Sequence, residues 1–160
     1  MVRPYMDADS DDLWELKRGF ETGLGERTGD ESKQAAYEAK LDEAYRSDWL
    51  GWVDRCVTEN ERCVQVAERE DGLAGYVFVL PESMAFVWDA AVLNEIYVAP
   101  DFRGTSVADD LMEAALSVAR EQSLPLDRMV LDVDRQNERA KAFYERYGFE
   151  HWGEMVARDL

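Results

Sequence analysis

The stretch that most constrains this chain is AAVLNEIYVAPDFRGTSVADDLMEAALSVA, where an apolar-rich run gives way to a short polar loop and then to apolar residues at helical spacing. Val107, Leu111, Ala114, Ala115, Val118 and Ala119 recur at intervals of three and four, with Asp109, Asp110 and Glu113 between them, which predicts an amphipathic helix. The preceding AAVLNEIYV reads as a strand, and PDFRGTS as the loop that joins them. A strand running into such a loop and a helix belongs to the α/β classes. It is also a ready anion site, because the first helical N–H groups lack intrahelical partners and the dipole is positive at that end. On the residues alone the same layout is common in α/β proteins that bind nothing there.

The rest of the chain extends this pattern. Val2 to Met6 reads as a short strand, and Asp7, Asp9 and Ser10 signal a helix start ahead of Leu13, Trp14, Leu16, Lys17 and Phe20. Gly19, Gly23, Gly25 and Gly29 place the end of that helix and a loop near GLGERTGDES. The pattern is helical again from about Glu31, with Trp49, Trp52, Val53 and Cys56 on one face, which is either core or the wall of an acceptor pocket. CVQVAER and LAGYVFVL flank EDG as an antiparallel hairpin, and PESM breaks the chain before AAVLNEIYV. RMVLDVD, from Arg128 to Asp134, is a buried-type strand. Asn137 caps a helix with Ala140, Phe143, Tyr144 and Tyr147 on its apolar face, Gly148 stops it, and Phe149 onwards reads as a last strand. The predicted order is β-α-α-β-β-β-α-β-α-β, a mixed α/β (α+β) fold in one domain over residues 1–160.

Composition narrows the function classes. Net charge is −17, from 35 acidic and 18 basic residues, so there is no surplus of cations to displace counterions from phosphates, and nucleic acid is not an expected partner. The acidity fits either steering of a cationic substrate or the surface of a halophilic protein from an acidic proteome, whose fields salt would screen. The start MVRPYMDADS lacks a basic segment followed by an apolar one, and no window approaches the roughly 18 apolar residues of a membrane span. A cytoplasmic protein without membrane contact is the expectation. Cys56 and Cys63 lack zinc-site spacing, His151 has no ligand-spaced neighbours, and no metal is expected.

The loop itself carries a resemblance. Arg103, two residues, Ser106, one residue, then Ala108 resembles the acetyl-CoA signature of the GCN5-related N-acetyltransferase (GNAT) superfamily, in which Ser106 stands where glycine is usual. Serine keeps the backbone N–H and adds a hydroxyl, but its Cβ limits close approach and disfavours a left-handed backbone. NERAKAFYERYGFEHWG resembles the superfamily's later motif, and VRPYMDADSDDLWEL its first strand and helix. The element order from Arg62 to Gly153 is also similar. The resemblance implies a mostly antiparallel central sheet flanked by helices, with a splayed parallel strand pair forming the acetyl-CoA cleft.

It also implies the chemistry, an acetyl group moved from acetyl-CoA to an amine. Arg103, Gly104, Thr105, Ser106, Val107 and Ala108 would hold the pyrophosphate. In relatives a bulge on the preceding strand offers backbone N–H groups to the acetyl carbonyl and pantetheine arm, which maps here to Ile96, Tyr97 and Val98. A strand carboxylate serves the amine, directly or through water; Glu95 is the candidate, with Asn94 where many relatives place the acid. The alternative for Glu95 is an acid exposed on the sheet surface, with a water or another carboxylate as base. Tyr144 matches the tyrosine that returns a proton to the thiolate, while its spacing alone favours a core residue on the apolar face of its helix, next to Phe143. Asn137 would both cap its helix and bond the cofactor arm. With no GxSxG serine and no cysteine in the site, direct transfer in a ternary complex is expected, to a small-molecule, peptide or protein amine. A non-catalytic acyl-CoA-binding sensor is the alternative, and a different phosphate ligand is disfavoured by the absence of GxGxxG and GK[ST]. Relatives often pair through C-terminal strands, so EMVARDL raises the possibility of a homodimer.

Overall fold

The computed structural model describes residues 1–28 and 31–160, and the side chains of these except 24–28, 31, 33, 34 and 37. Ten elements run in the order β1 (Val2–Pro4), α1 (Ser10–Thr28), α2 (Glu31–Lys40), α3 (Glu43–Glu59), β2 (Val64–Arg69), β3 (Gly72–Val79), β4 (Ala91–Val98), α4 (Val107–Glu121), β5 (Met129–Val130) and α5 (Glu138–Arg146). The strands form one sheet in the order β1-β2-β3-β4-β5, antiparallel except for the parallel pair β4 and β5. This is the expected mixed fold, with helices on both faces.

Each face of the sheet has its own core. Leu13, Trp14 and Leu16 of α1 and Trp49, Val53 and Cys56 of α3 cover Val64, Val66, Tyr76 and Phe78. Trp52 is half-buried, its ring 4.9 Å from that of Phe78. The tryptophan face of α3 is therefore packing. On the other side Val107, Leu111, Met112, Ala115 and Val118 of α4 cover Ala67, Ala74, Val77, Val79 and Leu93. The 3.6-residue period of α4 puts these on one stripe while Asp110 and Glu113 stay outside the core. Both cysteines are buried free thiols. No described helix is long and apolar enough to cross a membrane.

Three local expectations change. α1 does not stop at the glycines but continues to Thr28, through most of the segment expected as a loop; Gly29 and Asp30 lie outside the described residues. A Cβ at Gly19 would stand 2.5 Å from the Tyr97 hydroxyl oxygen, so this glycine lets the helix lie on an aromatic ring. Packing outweighs its poor helix propensity. Next, the single helix expected from Glu31 is two, divided at Leu41 and Asp42; Asp42 caps α3 by accepting the Tyr45 N–H at 2.8 Å. Finally, RMVLDVD shrinks to Met129–Val130, and Phe149 onwards forms no strand. With so short a ladder on β5, the edge offers little backbone for another strand to pair with. Residues 150–160, including EMVARDL, are exposed and outside the sheet.

The entry of the chain is fastened by charge. Arg3 of β1 donates to both Asp9 carboxylate oxygens, at 2.8 and 2.9 Å, and to Glu68 of β2 at 3.0 Å. Asp9 also accepts the Met6 N–H at 2.9 Å, in a short 3-10 turn that leads into α1. These bonds, the one to Arg3 foremost, hold the Asp9 carboxyl below its ordinary range. Its contribution to stability is therefore present above the unfolded-state value and lost as pH falls through the lower folded one. In urea unfolding, Asp9→Asn is expected to be less stable than the native chain at neutral pH, and the two midpoints should converge as pH falls below the ordinary aspartate range and through the lowered folded value.

Candidate active site

β4 is the strand from which the site is built. Its pairing with β5 begins at Ala91 opposite Met129 and ends at Val92 opposite Val130. Beyond that point no described strand pairs with this edge of β4, and the chain after β5 runs on as irregular backbone. Backbone N–H and C=O groups left at such an opening are available to an extended ligand. The splayed parallel pair expected from the resemblance is thus present.

The register of β4 against β3 sets which side chains face where. Val98, Tyr97, Ile96 and Glu95 lie opposite Gly75, Tyr76, Val77 and Phe78, and the next partners are Leu93 and Val79. Asn94 is the extra residue, a bulge. The irregularity thus falls at Asn94, whereas the resemblance mapped it onto Ile96, Tyr97 and Val98, which pair regularly. Ile96 and Val98 pack towards α4, Tyr97 towards α1.

Glu95 does not lie exposed on the sheet. Only 7% accessible, it accepts a bond from the Tyr76 hydroxyl at 2.8 Å and a short one from Lys17 Nζ. Lys17, 2% accessible, also lies 2.6 Å from Glu21 one helical turn on, and Lys40 of α2 lies 2.9 Å from the second Glu21 oxygen. The Lys17 ammonium stands over the rings of Trp49 and Phe20, at 5.0 and 5.3 Å. Burial pushes the Glu95 carboxyl above the ordinary glutamate range, and Lys17 and Tyr76 offset that only in part. Glu21 goes the other way: burial would raise it, but Lys17 and Lys40 bring it down. Lys17 stays above its ordinary value, since the two carboxylates outweigh its desolvation. Burial, reinforced by Glu95, holds the Tyr76 phenol well up and protonated.

None of Lys17, Glu21, Lys40 or Tyr76 was a candidate from sequence. The legible signal was Lys17 itself, one of four lysines in the chain, placed between Leu13 and Phe20 on an otherwise apolar helix face with Glu21 at i+4.

After β4 the loop turns through Pro100–Phe102. Arg103 folds back, its Nε donating to the Val98 carbonyl at 3.1 Å and its guanidinium standing 5.6 Å from the Tyr97 ring centre. Gly104 adopts φ 76°, the left-handed region. Ser106 is right-handed at φ −76°, so a side chain there is unstrained; its hydroxyl lies 3.1 Å from Asp110. The acidic residues beside the loop are engaged: Arg146 donates to Asp109 at 3.2 Å, Tyr147 bonds the same oxygen, and Asp110 has Arg69 at 3.8 Å. An open groove of about 400 Å³ lies between this loop and α1, lined in part by Arg18, Gly19, Thr22, Tyr97 and Arg103.

α5 closes the other side. Asn137 caps it, accepting the Ala140 N–H at 3.2 Å. Tyr144 is half-buried against Phe143 and Phe149, in the same cluster as Ile96, Val98 and Val107, and burial pushes its phenol up to about 12. Tyr144 and Glu95 thus lie on opposite faces of β4. Among the described residues no cluster of His, Cys, Asp and Glu suited to a metal ion is found.

The fold and the family expected from the resemblance agree with what the chain is similar to. A family model described as "Acetyltransferase (GNAT) family" matches residues 26–149. The chain belongs to that family. It is 33% identical over 97 residues to the "5-NmdU N-acetyltransferase" of Pseudomonas phage PaMx11, covering 61% of this chain and 64% of that protein, just under two thirds of its length. It is 29% identical to the "Peptidyl-lysine N-acetyltransferase YjaB" of Escherichia coli, over 75% of this chain and 70% of that one. Among solved structures, the PaiA N-acetyltransferase of Thermoplasma acidophilum in complex with coenzyme A superposes with a TM-score of 0.70 at 17% identity, covering 94% of this chain and 89% of that one, a likeness of fold.

Gly104→Ala tests the loop without touching any neighbour, since a Cβ there meets nothing within 4 Å. It is expected to lower stability by about 1–2 kcal/mol through the left-handed backbone alone, read as a reduced urea midpoint with unchanged m-value.

Proposed function

We propose that this protein moves an acetyl group from acetyl-CoA directly to a primary amine in a ternary complex. The observation that carries the reading is the opening between β4 and β5, with the α4 N-terminus at one end and a carboxylate and a phenol on opposite faces of β4. The residues present suit the cofactor. The first-turn N–H groups of α4, with those of Gly104, Thr105 and Ser106 and the Arg103 guanidinium, would hold the pyrophosphate. The backbone of Ile96, Tyr97 and Val98, with Asn137, would hold the pantetheine arm. When bound, acetyl-CoA supplies an acetyl group already activated as a thioester.

The chain's own groups do the rest. Glu95, or a water held by Glu95 and Asn94, takes the proton that the attacking amine must lose. Tyr144, protonated throughout the physiological range, holds a proton at Oη for the departing sulfur. Its place on the far face of β4 keeps donor and acceptor of protons apart. The relatives' printed names give 5-NmdU, peptidyl-lysine and an alanine of ribosomal protein bS18, so the acceptor here is proposed only as a primary amine of a small molecule, peptide or protein. The acidic surface would favour a cationic one. A cytoplasmic location is part of the proposal.

Calorimetric titration of acetyl-CoA, at low and molar salt, followed by thiol release with a panel of amines, tests this. Arg103→Ala is expected to weaken acetyl-CoA binding by about tenfold or more, and Tyr144→Phe to lower kcat by about 100-fold with binding retained. Binding without thiol release from any amine would favour the acyl-CoA sensor; no binding at either salt would refute both.

A further inference from the structure

The mechanism above uses Glu95 but does not explain how a carboxylate so deeply buried can remain ionised. A carboxyl sealed from water takes up a proton unless a cation compensates it, and a protonated Glu95 accepts nothing from an amine. We infer that Lys17 is a positioning residue for the reaction: its ammonium, delivered by α1 beneath β4, keeps Glu95 charged and aims its carboxylate. The inference rests on the reading of Glu95 as the base.

The geometry supports a built device. Glu95 Oε1 faces Lys17 and Oε2 faces the Tyr76 hydroxyl, so both oxygens are fixed from different elements. Lys17 in turn is shared with Glu21, and Glu21 with Lys40. With every member charged, two lysines balance two glutamates, and the cluster is neutral only while Glu95 is ionised. The groups that face it from the packed elements are Lys17 and Glu21 of α1, Lys40 of α2, Tyr45 and Trp49 of α3, and Tyr76 of β3. Of these only the lysines carry positive charge, and of the two lysines Lys17 is the one that touches Glu95.

Stability alone gives no reason for the arrangement. Replacing a buried ion cluster by apolar side chains of similar size is commonly neutral or stabilising, so a lysine kept 2% accessible between aromatic rings points to another use. The fork it makes is also asymmetric. Glu21 has a second lysine, Lys40, to hold its charge, while among the described residues the cation at Glu95 is Lys17.

The test compares the native chain with Lys17→Met and, because removing one cation from this core can impair folding, with the charge-balanced Lys17→Met/Glu21→Gln. In each, the Glu95 carboxyl is titrated by carbon-13 NMR, assigned with Glu95→Gln, and the pH profile of kcat/KM is recorded. The expected result is that Glu95 titrates at least about one pH unit higher in the folded variants, with the acidic limb of the profile displaced by the same amount and acetyl-CoA affinity within about twofold of native. Losing Lys17's charge would then reduce kcat/KM about tenfold on the acidic side and progressively less at higher pH. A Glu95 titration that does not move in a folded variant overturns the inference, whatever the activity. A moved titration with an unmoved profile refutes Glu95 as the base, and with it the role given to Lys17 in the reaction.

Discussion

Inserting Asn94 into β4 as an unpaired residue changes which way every side chain before it faces. Strict alternation back from Val98, which packs towards α4, would send Leu93 to the α1 face; the bulge returns it to the α4 core while Glu95 keeps the α1 side. The site depends on that reset. The same strand can then bury leucine against α4, present an acid to α1, and separate from β5 just ahead of the bulge.

The two faces of β4 consequently have different chemistry. The α4 and α5 face is apolar around Tyr144, and a phenol there stays protonated because burial disfavours its anion. The α1 face is an ionic network enclosed by aromatic rings, where burial and pairing oppose one another at each carboxylate. Glu95 and Glu21 share one lysine yet shift in opposite directions, since Glu21 has a second cation, Lys40, beside it. The proposed proton acceptor and the proposed proton donor thus differ in environment as well as in residue type.

Tyr97 joins the network to the loop ahead of α4. Its ring lies against Gly19 and Phe20 of α1 on one side and near the Arg103 guanidinium on the other, and Arg103 is held to the end of β4 by the Val98 carbonyl. Asp109 and Asp110, which on charge alone would oppose an anion at the start of α4, are drawn to Arg146, Tyr147 and Arg69. These contacts partly offset their charge.

Much of this was legible from the chain itself. The periodicity of 107–119, the hairpin around EDG and the Arg103 to Ala108 spacing determine the mixed sheet, the loop and the helix that starts beside it, because each depends on local steric and hydrogen-bonding rules. The paired motifs also suffice to identify the family. What the sequence could not determine is anything set by distant partners. α1 passes through Gly19, Gly23 and Gly25 in spite of their propensity, Gly19 because a tyrosine 78 positions later needs the space. The last segment carries strand-like residues, yet β5 is too short to receive it. Above all, whether Glu95 is an exposed acid or a buried, lysine-held one is decided by the α1 and β4 register, since a charge's protonation follows from the dielectric and the cations that the fold brings to it.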